Sequence, residues 1–368
     1  MPAGPAGDIA LFETFSGRSI EAKVPWVRLG RWPTPIEPLA VGGSSDLWVK
    51  RDDLSGDRYG GNKVRTLEAL FGRARAAGAT RIWATGAVGS NHALATVLYA
   101  RDAGLEPGAM LFPQPRTACA RENLVATVGQ QPALRPLLSW ATLPLAILAE
   151  RMRHNRDSYV MLPGGATPEG ALGYVSAALE LAAQIRAGLM PPPRRIVVGV
   201  GSTCTSAGLL AGTAIAEKLG LIATAAPRIV GVRVTPWPVT SALRISSLAA
   251  RAAALMAEIT GDRRLAFSRR ELAPRLEVVG GHIGRGYGHV TPGGLAAIKA
   301  FRLAGGPPLD TVYSGKVAAG LLAMRLEGPT LFWATKSSRP LPDTSAELLA
   351  DAPAPLRRWL ERPLLKLP

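Results

Sequence analysis

Val197-Val198-Gly199-Val200-Gly201-Ser202-Thr203-Cys204-Thr205-Ser206-Ala207-Gly208 is the stretch that decides the fold. A valine-rich run gives way to a turn of small residues, and the turn opens a helix. A strand feeding a helix in this way aims backbone N–H groups at an anion. A dinucleotide site would place glycine at 204 and an acidic residue at the end of the next strand. The chain has Cys204 there, and its next strand reads Val230-Gly231-Val232-Arg233-Val234-Thr235. A mononucleotide-like phosphate fits the turn better than NAD; read alone, close packing of small residues accounts for the turn equally well.

On either side, short apolar runs alternate with longer amphipathic ones. Strands are expected at Asp46–Lys50, Arg81–Thr85, Ala109–Phe112, Tyr159–Leu162, Arg195–Val200, Arg228–Val234 and Thr330–Ala334. Leu67, Leu70, Phe71 and Ala74 share one face of a helix at i, i+3, i+4, i+7 spacing. This alternation predicts an α/β protein with mostly parallel sheets. Pro191-Pro192-Pro193 marks a helix-to-strand connection, and residues 339–368, rich in Pro, Leu and Arg, read as a C-terminal extension with one or two short helices.

The 368 residues, 47% hydrophobic and 19% charged, can bury a sizeable core, so a disordered chain is excluded. No apolar run is long enough to span a membrane; the nearest, Trp140 to Ala149, is short and broken by Pro144. The N-terminus has no basic region followed by an apolar one, and Cys119 and Cys204 cannot form a disulfide framework, so a reduced, cytoplasmic setting is expected. The net charge of +16 raises the question of nucleic acid, but the basic residues are spread along the chain with little aromatic interleaving, as on a solvated surface. No nucleic-acid or membrane partner is expected.

Three further motifs bear on chemistry. Gly60-Gly61-Asn62-Lys63-Val64-Arg65 places a lysine at a helix start, where the local field favours the neutral, nucleophilic amine. It is not a P-loop, since Asn62 separates Gly61 from Lys63 and Val64 is not Ser or Thr. A surface lysine after a turn would look the same. Ala84 to His92 is again strand, turn and helix start, with Ser90 and Asn91 suited to capping or to ligand binding. Near the C-terminus, Tyr287 and Tyr313 each sit beside glycine or serine, in settings that suit either acid–base work or packing. His92, His154, His282 and His289 show no metal-ligand spacing with the two cysteines, so no metal site is expected.

Taken in order, these motifs resemble the family of PLP (pyridoxal 5′-phosphate) enzymes that contains D-cysteine desulfhydrase and 1-aminocyclopropane-1-carboxylate (ACC) deaminase, whose fold is that of the tryptophan synthase β-subunit. The resemblance covers about Pro33 to Thr335. It rests on Leu47 to Leu54, Gly60 to Arg65, Ser90-Asn91-His92, Gly170 to Val175 and Val312 to Lys316. It implies two open, mostly parallel α/β/α domains: a larger one from 1–60 plus 164–338 and a smaller, mobile one from 61–163. It also implies a homodimer and a small amino-acid substrate. Lys63 matches the lysine that carries the cofactor and moves the Cα proton. Asn91 matches the partner of the cofactor's phenolic oxygen, and Ser90 its neighbour near the substrate carboxylate. Gly201, Ser202, Thr203, Cys204 and Thr205 match the phosphate cradle, Tyr287 and Tyr313 the active-site tyrosines, and Thr335 a threonine near the pyridine nitrogen.

The chain departs from the family at several points. Ser314 stands where ACC deaminases carry glutamate, which favours the desulfhydrase-like members. Gly89 replaces a glutamine, which is expected to enlarge the pocket. Thr203 and Cys204 alter the phosphate turn, and Ala334, Lys336 and Ser337 alter the surroundings of Thr335. The resemblance therefore implies β-elimination from, or deamination of, a small amino acid to a 2-keto acid and ammonia. ACC-like ring opening, a bulkier substrate, and non-catalytic PLP or amino-acid binding are the alternatives.

Overall fold

The computed structural model describes residues 8–365 apart from Ser45, Asn155, Arg156 and Thr224. Every apolar run expected to be a strand forms one. In chain order the strands are β1 (Ile36–Pro38), β2 (Leu47–Lys50), β3 (Arg81–Ala87), β4 (Glu106–Phe112), β5 (Ala133–Pro136), β6 (Ser158–Val160), β7 (Arg195–Val200), β8 (Arg228–Arg233), β9 (Leu276–Val279) and β10 (Thr330–Trp333). The helices in the first half are α1 (Ala10–Thr14), α2 (Asn62–Ala76), α3 (Asn91–Tyr99), α4 (Ala118–Gly129), α5 (Leu143–Arg153) and α6 (Pro168–Arg186). Those in the second are α7 (Cys204–Lys218), α8 (Ala242–Thr260), α9 (Arg269–Leu272), α10 (Pro292–Leu303), α11 (Ser314–Leu322), α12 (Ala346–Ala350) and α13 (Ala354–Glu361).

Two sheets result. The larger runs β1-β2-β10-β7-β8-β9, parallel except for β1 against β2; the smaller runs β5-β4-β3-β6, all parallel. Helices cover both faces of the larger sheet. Ile196 and Val198 of β7 join the core formed with α6, α7 and α8, while Val197 joins Phe301 of α10 and Leu321 of α11. Burial on both faces explains why these strands read as unbroken apolar runs. No helix among the described residues is long and apolar enough to cross a membrane.

Helix α2 buries Leu67, Leu70, Phe71 and Ala74, the face expected from their spacing, and packs on α6. It is also fixed by charge. Arg65 donates from Nε and Nη2 to the Asp52 carboxylate (2.9 and 2.8 Å) and from Nη1 and Nη2 to that of Glu180 (3.0 and 2.9 Å). Lys50 on β2 donates to Glu180 at 2.5 Å and to Gln184 at 2.6 Å. Tyr174 and the Trp333 indole donate to Asp52 (2.8 and 2.7 Å). This buried cluster ties α2, α6, β2 and β10 together two residues from Lys63. Burial pushes the Asp52 and Glu180 carboxyls up, but Arg65 outweighs it and leaves both below their ordinary values.

Beyond β10 the chain crosses to the smaller sheet. Ser338 N–H donates to Asp53 O (3.1 Å) and Arg339 Nε to Gly56 O (2.9 Å), after which the Thr344 hydroxyl donates to Val125 O of α4 (3.0 Å). Helix α13 buries Leu356 and Trp359, and the Trp359 indole donates to Gln114 O at 2.9 Å.

Candidate active site

Lys63 lies in the first turn of α2. The two glycines before it answer to backbone crowding. A Cβ on Gly60 would stand 2.0 Å from Asp53 O, and one on Gly61, where φ is +88°, 2.5 Å from Thr335 O. The approach these glycines permit is therefore to neighbouring chain. Asn62 N–H donates to Thr335 O (3.1 Å), and Asn62 Nδ2 donates to the Thr205 hydroxyl at 2.9 Å. Lys63 Nζ and the Ser202 hydroxyl both point at Gly164 O, each at a long 3.4 Å. The lysine thus ends at the turn after β7. Burial lowers its pKa, favouring the neutral amine.

That turn runs Gly201, Ser202, Thr203, then Cys204 and Thr205 in the first turn of α7. Thr203 holds a left-handed φ of +75°, uncommon for a branched residue, and gives the helix no side-chain cap. In that first turn the Ser206 hydroxyl is buried without a partner. The Cys204 thiol is buried and donates to Gly165 O at 3.2 Å, and burial pushes its pKa up.

Asn91 opens α3, capped by the Ser90 hydroxyl, which accepts from His92 and Ala93 N–H. The Asn91 Oδ1 accepts from the Tyr59 hydroxyl and Asn123 Nδ2, both at 2.9 Å, and faces Lys336 Nζ at 3.5 Å. With Oδ1 engaged, Nδ2 remains to donate. His92 lies buried with both ring nitrogens unpartnered, and burial together with nearby Lys63 drops its pKa to about 3, so it stays neutral.

Tyr287 and Tyr313 meet edge to face, hydroxyl to hydroxyl at 3.2 Å. Burial pushes Tyr287 up to about 12 and Tyr313 well above its ordinary value, so both stay protonated at neutral pH. The Tyr313 ring lies against the phosphate-type turn, since a Cβ on Gly201 would stand 2.8 Å from its Cε1. Ser314 begins α11; its hydroxyl donates to Asp310 Oδ2 (3.0 Å) and accepts from Asp310 N–H (2.7 Å). Thr335 is half-buried, and its carbonyl is tied to Asn62.

Gly89 overturns one expectation. A Cβ there would stand 2.5 Å from Ala120 and 2.9 Å from Gln114 Nε2. The missing side chain therefore leaves no enlarged pocket, because α4 and Gln114 close in on it. Gln114, Asn123 and Tyr59 belong to the site, yet no motif in the sequence marked them. The buried Lys50–Asp52–Arg65–Glu180 cluster, quoted in part as a family motif, proves to be the mount for α2.

The residues present fit pyridoxal phosphate: a lysine disposed to neutrality, an open helix start beside it, and an amide whose donor end alone is free to meet a phenolate oxygen. Residues 27–331 match the family described as pyridoxal-phosphate dependent enzymes. The chain belongs to that family. It is 31% identical over 348 residues to nocardicin C-9′ epimerase of Nocardia uniformis subsp. tsuyamanensis, covering 92% of this chain and 99% of that one. It is 33% identical over 316 residues to a putative ACC deaminase of Pyrococcus horikoshii (83% and 89% covered). A crystal structure of an ACC deaminase homologue superposes with a TM-score of 0.72 at 30% identity, over 90% of this chain and 95% of that one. The PLP-dependent enzyme described here thus falls in the ACC deaminase and D-cysteine desulfhydrase family, and the two-sheet architecture is that of its fold.

Proposed function

We propose that this PLP enzyme eliminates a β-substituent from a small amino acid, D- or L-, and releases a 2-keto acid and ammonia, in the manner of D-cysteine desulfhydrase. The Tyr287–Tyr313 pair carries the reading. Its two phenols are held protonated across the Gly201–Ser202 turn at which Lys63 ends. Bound PLP supplies the electron sink that acidifies Cα. Lys63 takes the Cα proton, and the start of α3 at Ser90 and Asn91 orients the carboxylate. The tyrosine pair gives a proton to the departing group. Ring opening of ACC has no leaving group to protonate and depends more on the sink. The Ser314 hydroxyl, committed to Asp310, puts no carboxylate directly at that position.

PLP and substrate are proposed to bind between the larger unit (1–60 plus 164–338) and the smaller one (61–163), with the extension that begins at 339 strapping the two, in a cytoplasmic homodimer. Lys63, Asn91, Thr335 and residues 201–205 are proposed to hold the cofactor. Keto-acid and ammonia release from D- and L-cysteine, β-chloroalanine, S-substituted cysteines and ACC tests the assignment; a preference for ACC exchanges the two activities. Likeness to nocardicin C-9′ epimerase over nearly its whole length favours a second reading, epimerisation at Cα. Loss of optical activity without keto acid would establish it.

A further inference from the structure

The loop between β9 and α10 carries Tyr287 and has little within itself to hold it in place. Gly286 and Gly288 flank the tyrosine with φ of +129° and +79°, conformations open to glycine, so the backbone there is intrinsically loose. Among the described residues, the one backbone bond internal to the loop runs from His289 N–H to Gly286 O, at a long 3.4 Å. Lys316 supplies the fastening. It lies in the first turn of α11, is 0% exposed, and donates from Nζ to Ile283 O (2.9 Å) and Gly286 O (3.0 Å). Its own N–H donates to Tyr313 O at 3.1 Å. One residue thus grips both the peptide that precedes Tyr287 and the carbonyl of Tyr313, and the two hydroxyls so held meet at 3.2 Å.

A buried ammonium is a costly way to fill space. Burial lowers the Lys316 pKa to about 8, with Asp310 acting against it, so most of the side chain stays charged at neutral pH. No carboxylate among the described residues accepts a hydrogen bond from it; both of its bonds end on loop carbonyls. Leucine or methionine would pack at this position without the desolvation penalty. What the lysine adds is the pair of bonds to the loop. We propose that Lys316 is a positioning residue, which holds the Tyr287 hydroxyl in register with that of Tyr313 for proton transfer to the departing group. It does so from three residues beyond Tyr313, so a single stretch of chain sets the place of both phenols. The inference rests on the reading that the tyrosine pair serves elimination, and deepens it.

The test uses the PLP-loaded enzyme and turnover of β-chloroalanine. Lys316→Met keeps much of the bulk and removes both bonds. It should lower kcat by on the order of tenfold or more, the effect of a misplaced proton donor, with KM within about twofold of the parent. In the Tyr287→Phe background, which has no hydroxyl at 287 to place, the same substitution should lower kcat by less than about twofold. No loss in the parent would overturn the proposal. So would an equal loss in both backgrounds, the result a purely structural lysine gives. Should Lys316→Met not fold, Lys316→Gln, which keeps a donor on a shorter chain, makes the same comparison. Hydrogen exchange adds a readout apart from activity. Amides of residues 280–289 should exchange about tenfold faster in the variant than in the parent, the effect of losing a bond from a charged donor. Unchanged exchange in a folded variant would also overturn the proposal. If β-chloroalanine is not turned over, or Tyr287→Phe turns it over at the parental rate, the reading of the tyrosine pair falls. The exchange rates then decide whether Lys316 fastens the loop.

Discussion

Arg65→Met should show how much of the active-site geometry rests on a buried charge. In the parent, the guanidinium spans two carboxylates, Asp52 and Glu180, with four hydrogen bonds of 2.8–3.0 Å; it donates to the Thr34 hydroxyl at 3.2 Å and stacks 3.8 Å from the Trp32 ring. Methionine keeps much of the bulk but leaves two buried carboxylates facing Lys50 alone. Removing one member of such a set costs about 3–5 kcal/mol. For a chain of this length that is a fall in thermal midpoint of about 5 °C. Asp52 and Glu180 have depressed values in the folded parent, so their pairing stabilises above about pH 4 and is lost as pH falls through the folded pKa values. The gap between parent and variant should therefore be full at pH 7 and narrow towards pH 4, as carboxylates released from Arg65 take up protons. Adding Glu180→Gln to Arg65→Met restores neutrality, and the double variant should be destabilised by about 1–3 kcal/mol less than the sum of the singles. Urea and thermal unfolding followed by tryptophan fluorescence would measure all three. A single variant within about 1 kcal/mol of the parent, or strict additivity, would refute charge pairing as the cause.

Borohydride treatment of the yellow holoenzyme should fix PLP on Lys63, as read by peptide mapping; reduction onto another lysine would remove Lys63 from its role. Tyr287→Phe and Tyr313→Phe should each retain the cofactor and slow turnover by about a hundredfold. Parental rates in both would return the pair to packing. Trp359→Phe loses the bond to Gln114 O and should cost about 1 kcal/mol of stability. An unfolding midpoint equal to the parent's would show that this bond adds nothing to stability.

How far the sequence could be read depended on burial and on distance along the chain. Strands buried on both faces, such as β7 and β8, announced themselves as apolar runs. Those not foreseen, β1, β5 and β9, all lie at sheet edges with half-exposed residues, where nothing apolar marks them. Lys63 and Asn91 were legible because turn and helix start are local. The pairing of Arg65 with Glu180, 115 residues on, was not, and neither was Gln114, which enters the site through a packing contact with Gly89 that no spacing rule describes.

The position of β10 has a consequence for biosynthesis. That strand is the last to leave the ribosome, yet it lies between β2 and β7 in the larger sheet. β2 therefore waits some 280 residues for its neighbour, an estimate from the strand positions. The smaller sheet draws all its strands from 81–160 and can pair while the rest of the chain is still being made. In a nascent chain ending before Thr330, β2 and β7 present unpaired edges to each other across an open gap, and any pause in translation there lengthens the time they are open to wrong partners.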